Sequence, residues 1–460
     1  MGISHQVVRL AFSNGTIEVH GLPEGDPRVP AGCRWDARSA CHRAAAQDYA
    51  DIVMSFVRGE VPYEDEARDY PDLAEGLRVR REPRPYQRDA IAAWRKARGR
   101  GVVVLPTGAG KSYVAMMAID DRRRSALVVA PTLDLVRQWY DNLRTAFGQD
   151  VGIVGGGEHR VLPLTVTTYD SAYIHMPRFG ARFGLIVFDE CHHLPGPCYG
   201  QGAEMAIAPF RLGLTATPER SDGSHDRLDT LIGPQVFRRD IQEMAGEYLA
   251  GYEVVRLAVA LTPEERAAYD AARATYRSFL AFHRLRVSEP GGWQRFIGLS
   301  SRSHHGRQAW AAWREQKQIA LRSEGKLRVL WEILKSHPTE QVIIFTADNE
   351  TVYALSRTHL IPAITHQTKT PERQWILKAF NAGELRAVVT SKVLNEGVDM
   401  PAASVGIVLS GSSSVREHVQ RLGRILRRQE GKEATLYEVV TAGTGEEHMS
   451  ERRREHDAYR

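Results

Sequence analysis

Apolar and polar positions alternate from residue 6 to residue 20 around Asn14-Gly15, a dipeptide suited to the positive φ angles of a tight hairpin turn. Tyr49, Ile52, Val53 and Phe56 then recur at helical spacing, so residues 1–75 are expected to form a small α+β domain. An acidic stretch (Glu64, Asp65, Glu66, Asp69, Asp72, Glu75) gives way abruptly to Arg78, Arg80, Arg81, Arg84 and Arg88. This reversal predicts a linker near residues 60–80.

From there the rhythm changes. Short β-branched runs at 101–105, 126–130, 164–167, 185–188 and 211–215 alternate with helical patterns and are apolar on both faces, as strands of a buried parallel sheet must be. The rhythm returns at 342–346, 361–364, 386–390, 405–409 and 435–440. Two α/β domains are therefore expected, at 76–245 and 246–460. Between the two series, Thr262-Pro263-Glu264-Glu265 is a capping box with Pro at the first helical position. It opens a helical insert over about 263–322, broken at Pro290-Gly291-Gly292.

Composition narrows the class without deciding it. The 460 residues carry 61 Lys and Arg against 56 Asp and Glu, a net charge of +5, so the placement of charge matters more than its sum. Four cysteines without framework spacing, and no long apolar span or apolar leader, point to a cytoplasmic protein with reduced thiols and no membrane association. Cys191-His192-His193 with Cys198 lacks a second ligand pair at zinc spacing. The insert is the exception in charge: between 271 and 320 nine basic side chains, Arg284 and Arg286 among them, face only Glu289 and Glu315. Aromatics are interleaved with them, a combination that joins phosphate contacts to base stacking. Tyr276, Phe279 and Trp310 lie on apolar helical faces and read as the insert's own core.

The chemistry begins where Val102–Leu105 runs into Pro106-Thr107-Gly108-Ala109-Gly110-Lys111-Ser112. Glycines let backbone N–H groups approach phosphate oxygens, Lys111 reaches the terminal phosphates, and Ser112 can hold Mg²⁺. The ligand implied is ATP or another nucleoside triphosphate, although Leu105 stands where strict P-loops have Gly. Leu185–Phe188 delivers Asp189-Glu190 to a strand's carboxyl end; Asp189 is suited to Mg²⁺ and Glu190 to polarising the attacking water. Thr215-Ala216-Thr217 ends a further strand and suits relaying the γ-phosphate state. In the second domain, Arg424 and Arg427 lie about one helical turn apart, as arginine fingers would.

Taken together, Leu105–Ser112, Asp189-Glu190-Cys191-His192, Thr215-Ala216-Thr217 and Gln420-x-x-Gly423-Arg424-x-x-Arg427 resemble motifs I, II, III and VI of superfamily 2 helicases. That resemblance implies two tandem RecA-like P-loop domains that sandwich ATP and step along nucleic acid. It implies that Gln87, in Arg84-Pro85-Tyr86-Gln87, contacts adenine, and that His192, Thr215, Thr217 and Gln420 couple the nucleotide to the strand. Thr132, Thr346 and Thr390 fall where strand-binding motifs lie, and Asn395–Pro401, with Gly397 and Asp399, resembles motif V at the nucleotide.

Within that superfamily the chain is most similar to the XPB (xeroderma pigmentosum group B) helicases, in their compact archaeal form. The likeness rests on Trp35-Asp36-x-Arg38, Tyr49-x-Asp51-Ile52-Val53, Thr168–Tyr173, Pro209–Thr217, Ile361–His366 and Arg424–Arg427. It implies an N-terminal damage-recognition-like domain, a thumb-like insert, a DNA motor of 3′–5′ polarity serving repair (nucleotide-excision-like) or transcription, and a nuclease partner. One departure bears on strand opening: the family's Arg-Glu-Asp motif, with DNA-contacting ends, reads Arg220-Ser221-Asp222 here. An RNA-directed helicase of the same fold and a nucleic-acid scaffold with a silent ATP site are the alternatives.

Overall fold

The computed structural model describes residues 7–219, 223–244, 248, 251–287, 289, 291–391, 403–409, 433–447 and 450. The chain divides into two compact units, Met1–Asp240 and Ile241–Arg460.

In the first unit, β1 (Val8–Ser13) and β2 (Thr16–His20) form the expected hairpin, with Asn14 and Gly15 both at positive φ in the turn. β3 (Arg34–Asp36), β4 (Cys41–Ala45), helix α1 (Tyr49–Arg58) and β5 (Tyr63–Asp65) complete the small domain, in strand order β3-β4-β2-β1-β5. Tyr49, Ile52 and Phe56 of α1 pack with Leu10, Ile17 and Val19, and Ala181 and Ile207 of the following domain join the same core.

The segment expected to be a linker is docked instead. Leu73 N–H donates to Arg123 O (2.8 Å), Ser125 N–H to Pro71 O (2.9 Å) and Arg78 N–H to Ala146 O (2.9 Å), while Asp72 pairs with Arg124. Of its acidic side chains Asp72 meets Arg124 of the next domain, whereas Glu66 pairs with Arg9 and Glu75 with Arg78 of the same stretch.

The α/β part of this unit runs α2 (Pro85–Lys96), β6 (Arg100–Val104), α3 (Lys111–Arg122), β7 (Ala126–Ala130), α4 (Leu133–Phe147), β8 (Gly152–Gly155), β9 (Glu158–Arg160), β10 (Leu164–Thr168), α5 (Tyr169–Phe179), β11 (Leu185–Asp189), α6 (Pro197–Glu204), β12 (Phe210–Thr215), α7 (Arg227–Leu231) and β13 (Gln235–Arg238). The described strands form one sheet in the order β13-β6-β12-β11-β7-β10-β8-β9, parallel except for the terminal β8–β9 hairpin. Every residue of β7, β10 and β11 is buried, which explains their unbroken apolar or threonine sequences. Arg211 in β12 is fully buried too. Burial pulls its guanidinium down to about 9, and the side chain is held by donating to Ala208 O, Leu231 O and Ala206 O.

The second unit comprises α8 (Ile241–Met244), β14 (Gly251–Val259), α9 (Pro263–Phe282), α10 (Gly292–Ser300), α11 (His304–Leu321), α12 (Glu324–Ser336), β15 (Val342–Phe345), α13 (Asn349–His359), β16 (Ala363–Ile364), α14 (Thr370–Asn381), β17 (Ala387–Thr390), β18 (Val405–Val408) and β19 (Glu433–Thr441). Its strands pair in parallel in the order β14-β19-β18-β15-β17-β16. Helices α9, α10 and α11 are the insert. The Thr262 hydroxyl accepts from Glu265 N–H (3.2 Å) and the Glu265 carboxylate from Thr262 N–H (3.0 Å), so the capping box forms as read. Phe279, Phe296 and Ala309 are the insert's buried centre, with Tyr276, Trp293, Trp310 and Trp313 around them.

The base of the insert is fastened to the turn after β19. Arg266 donates to Ala442 O (2.9 Å) and Gly443 O (3.1 Å), and Gly445 N–H donates to the Tyr269 hydroxyl (3.0 Å). Beside it the buried Lys326 ammonium donates to both oxygens of the buried Glu446 carboxylate (2.7 and 2.6 Å) and to Leu409 O.

Candidate active site

Strand order places three carboxyl ends side by side in the first unit: β6 and β11 flank β12. The P-loop leaves β6, Asp189-Glu190 ends β11, and Thr215 ends β12. Open α/β sheets bind ligands at such ends.

The P-loop turns through Gly108 (φ 87) and Gly110 (φ 77), conformations that disfavour a side chain, before Gly110 caps α3. A Cβ on Gly110 would also lie 2.7 Å from Gln87 Nε2. The first turn of α3 thus presents unsatisfied N–H groups and the helix's partial positive charge. Lys111 Nζ lies against the loop, donating to Leu105 O (3.2 Å) and Pro106 O (3.4 Å). The Thr107 hydroxyl, inside the loop, has no hydrogen-bond partner among the described residues.

Asp189 is buried at the end of β11. Burial and then the neighbouring Glu190 carboxylate push its carboxyl up to about 6, while Trp139 and Lys111 pull it back. Its oxygens accept from Trp139 Nε1 (2.8 Å) and from Glu190 N–H (3.1 Å), and Tyr169 OH donates to its main-chain carbonyl (2.9 Å). Glu190 sits at φ 48, a left-handed conformation that costs a non-glycine residue on the order of 1 kcal/mol. This backbone kink sets the two adjacent carboxylates in different surroundings, Asp189 anchored and Glu190 Oε2 without a hydrogen-bond partner among the described residues. Glu190 Oε2 stands 3.5 Å from His192 Nδ1, which is itself 3.1 Å from the Thr215 hydroxyl. Thr217 N–H donates to that hydroxyl (3.2 Å), and Leu105 N–H donates to Thr215 O (3.0 Å). The nucleotide loop, His192, Thr215 and Thr217 are therefore one bonded network, which the Glu190 carboxylate approaches at His192. A buried carboxyl beside a second carboxylate, with the Ser112 hydroxyl in the α3 first turn, is a hard-oxygen donor set that fits Mg²⁺.

The sequence matches families in register with this architecture. Residues 10–67 match the xeroderma pigmentosum group B helicase damage recognition domain, 80–220 the type III restriction enzyme res subunit, and 325–429 the helicase conserved C-terminal domain. A DNA 3′-5′ translocase XPB2 of Sulfurisphaera tokodaii is 41% identical over 438 residues, covering 95% of this chain and 98% of the relative. The chain belongs to the XPB family. Another member, the DNA 3′-5′ helicase XPB of Mycobacterium tuberculosis, is 32% identical over 78% of this chain and 60% of its own length. The helicase domain of Pyrococcus furiosus Hef shares the fold at 20% identity, with a TM-score of 0.55 over 80% of this chain and 97% of that one.

Gln87, expected from the superfamily resemblance to contact adenine, is buried and hydrogen-bonded at both ends of its amide. Its Oε1 accepts from Arg84 N–H (3.0 Å), and its Nε2 donates to Ala109 O and Gly110 O (both 3.3 Å). Tyr86 OH reaches Ala109 O as well (2.7 Å), so the pair braces the P-loop. Thr132 caps α4 by accepting from Leu135 N–H (3.3 Å). Thr346 and Thr390 are wholly buried, their hydroxyls donating to Asp348 O (3.0 Å) and Ser391 O (3.3 Å). This leaves those hydroxyls directed inward, with Ser391 and Asn349, 2.7 Å apart, nearer the surface. Arg284 and Arg286 are exposed beyond the end of α9. Arg220, Ser221, Asp222, Gly397, Asp399, Gln420, Arg424 and Arg427 lie outside the described residues. Reading the sequence did not single out Trp139 or assign Tyr169 a role; the only local signal for Trp139 is an indole on the apolar face of α4, where its N–H must find a partner.

Proposed function

We propose that this chain is an ATP-dependent DNA helicase or duplex translocase of 3′–5′ polarity, opening DNA in repair or transcription. The observation that carries the catalytic half is the bonded network across the ends of β6, β12 and β11. The DNA substrate and polarity follow from the family, whose XPB2 relative is matched almost end to end.

In this reading the loop N–H groups and Lys111 hold the phosphates of ATP. Ser112 and Asp189 would hold Mg²⁺, which supplies charge neutralisation at the phosphate oxygens. Glu190 orients the attacking water and accepts its proton, a role suited to a buried oxygen that has no hydrogen-bond partner among the described residues. His192, between Glu190 and Thr215, passes the change to Thr217. Arg424 and Arg427 stabilise charge on the transferring phosphate, and Gly397, Asp399 and Gln420 complete the nucleotide contacts and coupling. The insert grips DNA through Arg284 and Arg286, with Thr132, Arg220, Asp222, Thr346 and Thr390 placed by resemblance along the strand. A nuclease partner and a cytoplasmic location belong to the same reading; no described helix is long and apolar enough to cross a membrane.

The test is ATP turnover by the full chain with single-stranded, forked and duplex DNA and with RNA. Stimulation by DNA well above that by RNA is expected. Equal or greater stimulation by RNA would favour the RNA-directed reading, and absence of turnover the silent scaffold.

A further inference from the structure

Of the seven aromatic residues between 271 and 320, six belong to the insert's own core. Phe282 does not. It is the last residue of α9 and is 75% exposed, although a phenyl ring in water has an apolar surface that folding normally hides.

The ring is nonetheless held. It meets His283 edge-on at 5.0 Å between centroids and His305 of α11 at 6.3 Å. Both imidazoles rest in turn on the fully buried Phe279, at 4.4 and 5.5 Å. Phe282 is thus propped on a shelf rooted in the core, with its remaining surface open. A ring fixed in this way forfeits little conformational freedom on binding.

Its surroundings are cationic. The chain turns directly after it through Arg284, at φ 51, and then Arg286, whose side chain is 80% exposed. Glu289 is shared by Arg286 (3.6 Å) and Arg295 (3.7 Å), while Arg284 has no ion pair among the described residues. An open aromatic face followed directly by exposed arginines suits a flat, uncharged ring carried on a phosphate chain. We propose that Phe282 is a stacking platform for one unpaired base of a DNA strand whose phosphates the flanking arginines engage. This rests on the reading of the insert as a DNA grip and adds to it the residue that touches a base.

The full-length chain, Phe282→Ala, Phe282→Trp and the double variant Arg284→Glu/Arg286→Glu are compared by anisotropy on a single-stranded oligonucleotide and on one of equal length with abasic sites throughout. Melting temperature checks folding, which a change at so exposed a ring should spare. Phe282→Ala is expected to weaken binding to the base-bearing strand roughly 5- to 150-fold, the range for one lost base–aromatic stack. Its salt slope should match wild type, binding to the abasic strand should be unchanged, and Phe282→Trp should retain affinity. Equal affinity of Phe282→Ala and wild type for the base-bearing strand, or equal losses on both strands, would overturn the stacking role. The double variant separates the two claims. If it lowers affinity and salt slope while Phe282→Ala does not lower affinity, the grip stands and the platform fails; if it changes neither, the grip itself fails.

Discussion

Trp139 Nε1 donates to Asp189 Oδ2 across 2.8 Å, with both residues buried. The indole on α4 thereby fixes the orientation of the carboxylate proposed to hold Mg²⁺. Trp139→Phe removes the donor while keeping an aromatic ring in the space. By the usual effect of removing a group that orients a metal ligand, ATP turnover or apparent Mg²⁺ affinity should fall roughly 10- to 100-fold. A Mg²⁺ titration of ATPase activity reads this directly. An unchanged half-saturation and an unchanged maximal rate would show that Asp189 needs no such orientation.

Gln87 supports a discriminating prediction, since its amide is committed at both ends, the Nε2 to two P-loop carbonyls and the Oε1 to Arg84 N–H. Gln87→Ala should therefore weaken ATP and GTP binding by similar factors, because a loosened loop holds every triphosphate less well. Equilibrium binding with both nucleotides checks it. Loss confined to ATP would mean that the amide leaves its carbonyls to read adenine.

The central strands of the two parallel sheets are legible in the sequence because burial on both faces leaves short apolar runs, whereas β8, β9 and β13 at the sheet margins are not, and the capping box at Thr262 marks the start of α9 by local chemistry alone. The long pairing of β14 with β19 is not legible. Gly251 lies opposite Glu433, and no local pattern carries a contact across so much chain. Polar partnerships are hidden for the same reason: no local pattern announces that Arg211 is buried on three main-chain carbonyls, or that the Thr346 and Thr390 hydroxyls donate to carbonyls inside the second unit. At the candidate site the phosphate loop and the acid pair are contiguous in sequence and were readable, whereas Trp139 lies 50 residues from the carboxylate that it orients.

The buried pair of Lys326 and Glu446 joins the start of α12 to the chain beyond β19. Lys326→Met leaves a carboxylate buried without its cation and should cost the second unit on the order of 3–5 kcal/mol. Lys326→Met/Glu446→Leu should recover most of that loss. Denaturant unfolding of the single and double variants measures it, and a single variant as stable as wild type would mean that Glu446 finds water or another partner.

Hydrolysis at Glu190 is expected to drive movement along DNA toward the 5′ end of the tracked strand. The measurement is displacement of a third strand from a DNA triplex, with entry overhangs of either polarity, by wild type and by Glu190→Gln at saturating ATP. Wild type should displace the strand from 3′-overhang or blunt substrates when ATP is hydrolysed, and Glu190→Gln should bind ATP and DNA yet displace nothing. Equal displacement by Glu190→Gln, or displacement by wild type from 5′-entry substrates alone, would contradict the account.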